Sequence, residues 1–186
     1  LMRSLLLAGG RSSRMGIDKA MIEVDGCSMI SRVVKALSLA GLEPIRIAVA
    51  NPEDIEKYGS EVGSEADIEW VLDARTHAGP IDAIEEALLD SGCAEILQLA
   101  AVDYPWVTGE LFVSLQKGLD DGNALIMPHD GERSHPLLAL IRSEEVLGMI
   151  HSDRRPLRIQ FADVKHSILI EEPKILRNVN SLGDLE

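Results

Sequence analysis

Apolar residues in this chain gather into short continuous runs, and between the runs they recur every three or four positions. The runs are Ser4 to Ala8, Ile45 to Ala50, Ile68 to Leu72, Ile96 to Ala100 and Ala124 to Met127. Continuous apolar stretches of that length predict strands buried on both faces. Between them, Ser28 to Leu39 places Ile30, Val33, Val34 and Leu37 at i, i+3, i+4 and i+7, and Pro80 to Leu89 begins with proline at the first helical position. Both are predicted as amphipathic helices. Strands alternating with helices predict an α/β fold with a parallel, doubly wound sheet, in which ligands bind beyond the C-terminal ends of the strands. The loops that matter are therefore Ala8 to Lys19, Asp73 to Pro80 and Ala101 to Thr108.

From Gly131 the pattern loosens into a strand at Leu137 to Ile141, a helix near Glu144 to Ile150 and an apolar stretch at Ser167 to Ile170. With no linker, repeat or low-complexity segment, the 186 residues predict one domain. Its last third is expected to cover the sheet edge and complete a second substrate pocket. The formal net charge of -13 would repel a phosphate backbone, and aromatic residues are only 3%, so nucleic acid is excluded as a partner. Leu5 to Ala8 is too short for the apolar core of a signal peptide, and no run approaches the roughly 20 residues that cross a bilayer. Cys27 and Cys93 are far apart and form no C-x-x-C, so they read as two reduced, buried thiols, and the expected location is cytoplasmic.

Candidate chemistry begins directly after the first strand, in Leu7-Ala-Gly-Gly-Arg-Ser-Ser-Arg-Met-Gly-Ile-Asp-Lys19. Gly9 and Gly10 permit a close backbone approach, so that N–H groups can point at phosphate oxygens. Arg11, Arg14 and Lys19 reverse the sign of charge locally in an acidic chain, which suits an anionic ligand. A glycine turn with a solvated basic loop is the alternative. The adjacent glycines do not fit G-x-G-x-x-G, and Ala20 after Lys19 does not fit a Walker loop.

Asp103, just past a buried strand, could hold Mg²⁺ or merely begin the turn before Pro105; Asp73 has the same ambiguity. Gly79-Pro80 opens a helix whose free N–H groups could meet an anion or a base edge. Asn178-Val-Asn180 would turn two amides to one side if extended, or form a turn capping a final short helix with Ser181 as N-cap. His135 before Pro136 stands outside any His/Cys cluster with zinc-ligand spacing.

Taken in order, L-A-G-G-x-S-x-R-M-G-x-D-K at 7 to 19, Gly79-Pro80, Asp103-x-Pro105, His135-Pro136 and N-V-N at 178 to 180 resemble the molybdenum cofactor guanylyltransferases. The resemblance spans nearly the whole chain. It implies a three-layer, Rossmann-like nucleotidyltransferase fold with a mostly parallel central sheet, in which about 1–105 binds the nucleotide and about 106–186 binds the acceptor and closes the site. It further implies that Leu7, Ala8, Gly9 and Gly10 surround GTP, that Arg14 and Lys19 meet its phosphates, and that Asn51, Asp73 and Gly79 belong to the nucleotide site. Asp103 would bind Mg²⁺, and His135, Asn178 and Asn180 would line the site of the acceptor, molybdopterin or molybdenum cofactor. Proteins that deliver the cofactor or accept it are the implied macromolecular partners.

Two departures or choices within the family are visible. After Gly79-Pro80 the family usually reads Leu-Ala-Gly, where this chain has Ile81-Asp82-Ala83. Related cytidylyltransferases usually read Leu-Ala-Ala-Gly in the first loop, so Gly9 favours guanine. The alternatives are a guanylyl- or cytidylyltransferase of another phosphate acceptor, and a catalytically silent nucleotide-binding protein on the same fold.

Overall fold

The computed structural model describes residues 1–8, 18–64, 66–73, 79–180 and 182–185. Its strands are β1 (Met2–Leu7), β2 (Glu23–Val24), β3 (Cys27–Ser28), β4 (Ile45–Val49), β5 (Ile68–Leu72), β6 (Cys93–Ala101), β7 (Leu125–His129), β8 (Leu140–Arg142) and β9 (His166–Ile170). The helices are α1 (Met29–Leu39), α2 (Pro52–Val62), α3 (Pro80–Leu89), α4 (Gly109–Gly118), α5 (Ser143–Ile150) and α6 (Leu157–Asp163). Among the described residues the central sheet has seven strands in the order β5-β4-β1-β6-β8-β7-β9. Only β8 runs antiparallel to its neighbours, so β7 and β9 point the same way as β6 and their C-terminal ends lie on one side of the sheet.

Each face of the sheet carries its own core. Leu6, Ile45 and Ile47 pack with Ile30, Val33 and Leu37 of α1, Tyr58 of α2, and Phe112 and Leu115 of α4. Leu5, Leu97 and Leu99 pack on the other face with Ile84 of α3, Val146 of α5 and Phe161 of α6. The neighbours Leu5 and Leu6 therefore serve opposite cores, as the two-residue period of a strand requires. This is the three-layer arrangement that the alternation of strands and helices predicts.

The predicted helix from Ser28 begins at Met29 because Ser28 is its cap, its hydroxyl accepting from the Ser31 N–H at 3.2 Å. Pro80–Leu89 is helical as predicted, with Gly79 at its cap in the left-handed region at φ 102. Among the described residues a Cβ there would touch nothing within 4 Å, and the positive φ is what calls for the glycine.

Several expectations need correction. Ile68–Leu72 is a sheet edge rather than a strand buried on both faces, and Glu69 and Leu72 are exposed. The strand expected at Leu137 to Ile141 is shortened: Pro136–Leu138 form a 3-10 turn, and β8 starts only at Leu140. Pro136 pre-sets that turn, and the carbonyls of Leu138 and Ala139 are taken by the Nε2 of buried Gln98. Cys27 is exposed and Cys93 half-buried, both with free thiols. Asp25 and Gly26, at φ 52 and 84, form a tight hairpin turn between β2 and β3 that sends Ser28 inward and Cys27 out. Among the described residues, no helix is long and apolar enough to cross a membrane.

Phe112 is fully buried in α4, and Phe112→Ala is expected to lower stability by about 3–5 kcal/mol, read as a shifted urea midpoint, because the surrounding strands cannot close over the lost ring.

Candidate active site

β1 lies between β4 and β6, with its successor β4 on one side and the later β6 on the other. Such a reversal of strand order opens a crevice between the loops leaving the two strands. The parallel register that sets Leu7 beside Ala101 continues into the Val102 N–H donating to the Leu7 carbonyl, so both loops depart at the same height.

Lys19 and Asp103 meet at this crevice, with Nζ 3.5 Å from Oδ1. Their side chains are 19% and 31% exposed, so the pair is partly withdrawn from water yet still reachable. Lys19 opens a 3-10 turn (Lys19–Met21) capped by Asp18, whose Oδ1 accepts from the Ala20 N–H at 3.1 Å. The other carboxylate oxygen of Asp18 accepts from the Tyr58 hydroxyl at 2.5 Å and lies 2.7 Å from the Lys57 ammonium. Helix α2 thus anchors the turn that presents Lys19. Burial, and then the Asp18 carboxylate, push the Tyr58 hydroxyl well above the ordinary phenol range, so it remains a donor.

Asp103 is held from several sides. The neighbouring Pro105 carbonyl accepts from Arg32 Nε at 2.8 Å, while Arg32 also donates to the Val24 carbonyl at 3.2 Å. The Asp103 carbonyl accepts from the Val179 N–H at 2.8 Å, which brings the N-V-N segment to the same place. Burial raises the Asp103 carboxyl above its ordinary value, and Lys19 pulls it only part of the way back.

Asn178 and Asn180 flank the fully buried Val179; Asn178 is half-buried and Asn180 exposed. The Asn180 N–H donates to Asp184 Oδ2 at 2.7 Å, while Ser181, the expected N-cap, lies outside the described residues. Buried His135 joins this group through Tyr104, whose hydroxyl is 3.1 Å from its Nδ1. Pro136 and Pro80 share a cavity of about 360 Å³ lined also by Ile81, Leu137, Pro156, Leu157 and Arg158. The two proline motifs, distant in sequence, are therefore adjacent in space.

Leu7, buried Ala8, exposed Asn51 and buried Asp73 stand at or just beyond the ends of β1, β4 and β5, on the loop side of the sheet. Asn51 caps α2 without a side-chain hydrogen bond. Gly9, Gly10, Arg11, Arg14 and Ser181 lie outside the described residues. Asp82, which departs from the family pattern, is met by Arg154 at 3.1 Å, and Arg154 also reaches Glu85 at 3.0 Å. A larger groove of about 770 Å³ between α1 and α4 borders this neighbourhood only through Arg32 and Pro105 among the site residues named above.

Sequence reasoning missed Asp18, Lys57, Tyr58, Tyr104 and Asp130 as members of this neighbourhood. Only Asp18 and Tyr104 carried a signal, since each sits beside a motif residue; the others arrive from α2 and from the loop after β7.

The crevice at the sheet switch point therefore carries a lysine from the first loop and a carboxylate beyond the fourth parallel strand. Residues 4–164 match the MobA-like NTP transferase domain, and the chain belongs to that family. It is 31% identical over 73% of its length to a protein of Opitutus terrae named probable molybdenum cofactor guanylyltransferase, of which the match covers 63%. It is 29% identical over 98% of its length to a protein of the same name from Pelotomaculum thermopropionicum, of which 82% is covered. Among solved structures, molybdopterin-guanine dinucleotide biosynthesis protein A from Archaeoglobus fulgidus superposes with a TM-score of 0.71 at 23% identity, covering 99% of this chain and 95% of that one. The same fold occurs in a Mycobacterium tuberculosis protein solved in complex with manganese, with a TM-score of 0.72 at 13% identity and coverage of 98% and 94%.

A carboxyl whose pKa folding has raised opposes folding once ionised: its contribution is fully present below the ordinary carboxylate value and is lost as pH rises through the raised one. Asp103→Asn removes the charge at nearly constant size. At neutral pH this variant is expected to resist urea at least as well as the parent chain, and the two should converge as pH falls to about 4. A clear loss of stability at neutral pH would mean that the ion pair with Lys19 outweighs the desolvation.

Proposed function

We propose that this chain transfers GMP from GTP to molybdopterin, with or without its molybdenum, releasing pyrophosphate and forming the guanine dinucleotide cofactor. The observation that carries the reading is the Lys19–Asp103 pair at the crevice between β1 and β6. The names of the relatives support the choice of nucleotide and acceptor.

In this reading Leu7, Ala8, Gly9 and Gly10 surround the nucleotide, and Asn51, Asp73 and Gly79 complete its site from the neighbouring strand ends. Arg14 and Lys19 meet the phosphates. His135, Asn178 and Asn180 face the acceptor from the loops beyond β7 and β9. The acidic Asp82 at the start of α3 need not repel GTP, because Arg154 offsets its charge.

The attacking group is the terminal phosphate of molybdopterin, whose second pKa is about 6, so it is largely dianionic at neutral pH and needs no general base. One of its oxygens bonds to the α-phosphorus of GTP while the bond from that phosphorus to the β-phosphate bridge breaks, and pyrophosphate leaves with the electron pair. The protein must hold two anions in line and neutralise charge that grows on the leaving group, the task suited to Lys19, Arg14 and backbone N–H groups.

Asp103 fits a hard divalent cation. It is a partly buried oxygen donor whose charge burial disfavours. That suits Mg²⁺ held by one or two carboxylates and by substrate phosphates, where it supplies positive charge to the phosphate oxygens.

Pyrophosphate release should be measured with molybdopterin and Mg²⁺ against GTP, CTP and ATP in parallel. Release with GTP alone is the expected result; release with CTP instead would move the chain to the cytidylyltransferases, and no release with GTP would overturn the reading. Lys19→Ala is expected to slow transfer by about 100-fold or more while leaving thermal unfolding nearly unchanged. An unchanged rate would remove Lys19 from the mechanism.

A further inference from the structure

Strands β5 and β9 are the two edges of the central sheet among the described residues, and they differ in what each would meet if it paired with itself. Strand β9 reads His-Ser-Ile-Leu-Ile, with Lys165 directly before it and Glu171 directly after it. Against β7, the Lys165 carbonyl accepts from the Ala124 N–H and the Glu171 N–H donates to the His129 carbonyl. Odd-numbered residues therefore turn their backbone groups inward, and alternation along the strand turns those of His166, Ile168 and Ile170 outward. Among the described residues no strand pairs with that outer side. Side chains alternate too: Leu169 packs on the core shared with α1 and α4, while Ile168 and Ile170 stand on the other face, 46% and 65% exposed.

Soluble proteins ordinarily protect such an edge with a mid-strand charge, a proline or a bulge. Between Ile168 and Ile170 there is none of these, and the register with β7 runs without a break. The charges sit instead at the two ends of the strand, with opposite signs. Two identical strands paired antiparallel are related by a two-fold axis, so the centre of the pair fixes every opposing residue. Centred on Ile168, every outward backbone group is used: Ile168 faces the partner's Ile168, and His166 faces the partner's Ile170. The exposed isoleucines then form one apolar strip on a single face. The same register sets Lys165 opposite the partner's Glu171, twice per dimer. Moving the centre one residue either way loses that pair, and moving it toward the N-terminus sets Asp163 opposite the partner's Glu171. Within the described residues Lys165 forms no ion pair, and the Glu171 carboxylate takes only the N–H of Glu172, at 2.8 Å. Strand β5 is the opposite case: a two-fold centred on Trp70 would set Asp67 against the partner's Asp73 at both ends, with exposed Glu69 between them.

We infer that β9 is a docking edge for a second copy of this chain, joined antiparallel about Ile168 into one sheet that continues across both protomers. The apolar strip and the outward backbone groups supply the contact, and the two Lys165–Glu171 pairs fix the register. The antiparallel arrangement turns the C-terminal ends of the two parallel sheets, and the crevices beyond them, to opposite sides. Formation of this interface is independent of the transfer proposed above.

Sedimentation equilibrium of the parent chain at micromolar concentration is expected to give twice the chain mass. Lys165→Glu and Glu171→Lys should each weaken association about tenfold, because each sets like charges opposite one another at two places. The double variant Lys165→Glu/Glu171→Lys should restore the parent affinity, with circular dichroism confirming that all three variants fold. In a Cys27→Ser background, which removes the exposed native thiol, Ile168→Cys should oxidise to a covalent dimer. Its two Cα atoms would lie about 5.5 Å apart, within disulfide reach. Ile170→Cys should stay uncrosslinked, because its partner would be about 13 Å away along the strand. A monomeric parent chain, an assembly larger than a dimer, or charge variants that associate as the parent does would each overturn the inference. So would a double variant that stays as weak as the single ones, or crosslinking at 170 and not at 168.

Discussion

The approach of Lys19 to Asp103 depends on β1 and β6 being neighbours in register, and most of the molecule is organised around keeping that register. Asp103 leaves β6 just past its register with the end of β1, and Lys19, on a turn that Asp18 ties to α2, meets it across the crevice. Burial makes the carboxylate costly, and the lysine compensates only partly. A site of this kind is prepared for a further cation and for an anionic ligand, because each would relieve what the bare pair leaves unbalanced.

Around that pair the structure spends its polar side chains on rigidity. Asp18 is tied to α2 by Tyr58 and Lys57, Arg32 binds two carbonyls from different loops, and Val179 ties the C-terminal segment to Asp103. Such supports fix first-contact groups within the small tolerances that phosphoryl transfer demands. They also explain how a chain with a net charge of -13 can hold anions: acidic side chains near the loops are individually engaged, Asp82 and Glu85 by Arg154, Asp18 by Lys57, Asp130 by His135.

Strand and helix periodicity located the sheet and three of the six helices, α1, α3 and α5, because their burial is strong and local. Helices α2, α4 and α6 escaped notice for physical reasons. Helix α2 buries only Tyr58, so its apolar stripe is faint, and its start is marked by nothing more than Asn51-Pro52. Helix α6 is a short element of seven residues. The edge position of β5, the turn at Pro136 and the exposure of Cys27 depend on which strands lie beside which, and no local pattern carries that. The site motifs were legible as residues with charge or conformational freedom in the right loops. Their mutual distances were not.

By itself the sequence determined the class of fold, the loops in which function sits and the chemistry available there, since hydrophobic period, glycine freedom and charge are properties of short segments. Only the tertiary structure decided that Lys19 meets Asp103, that the Asn178 segment hangs from the Asp103 backbone, and that Asp130 and Tyr104 hold His135 from its two ring nitrogens. Those are contacts between segments far apart in the chain. They exist because strand order brings several loops to one side of one sheet, and strand order is set by packing the whole chain at once.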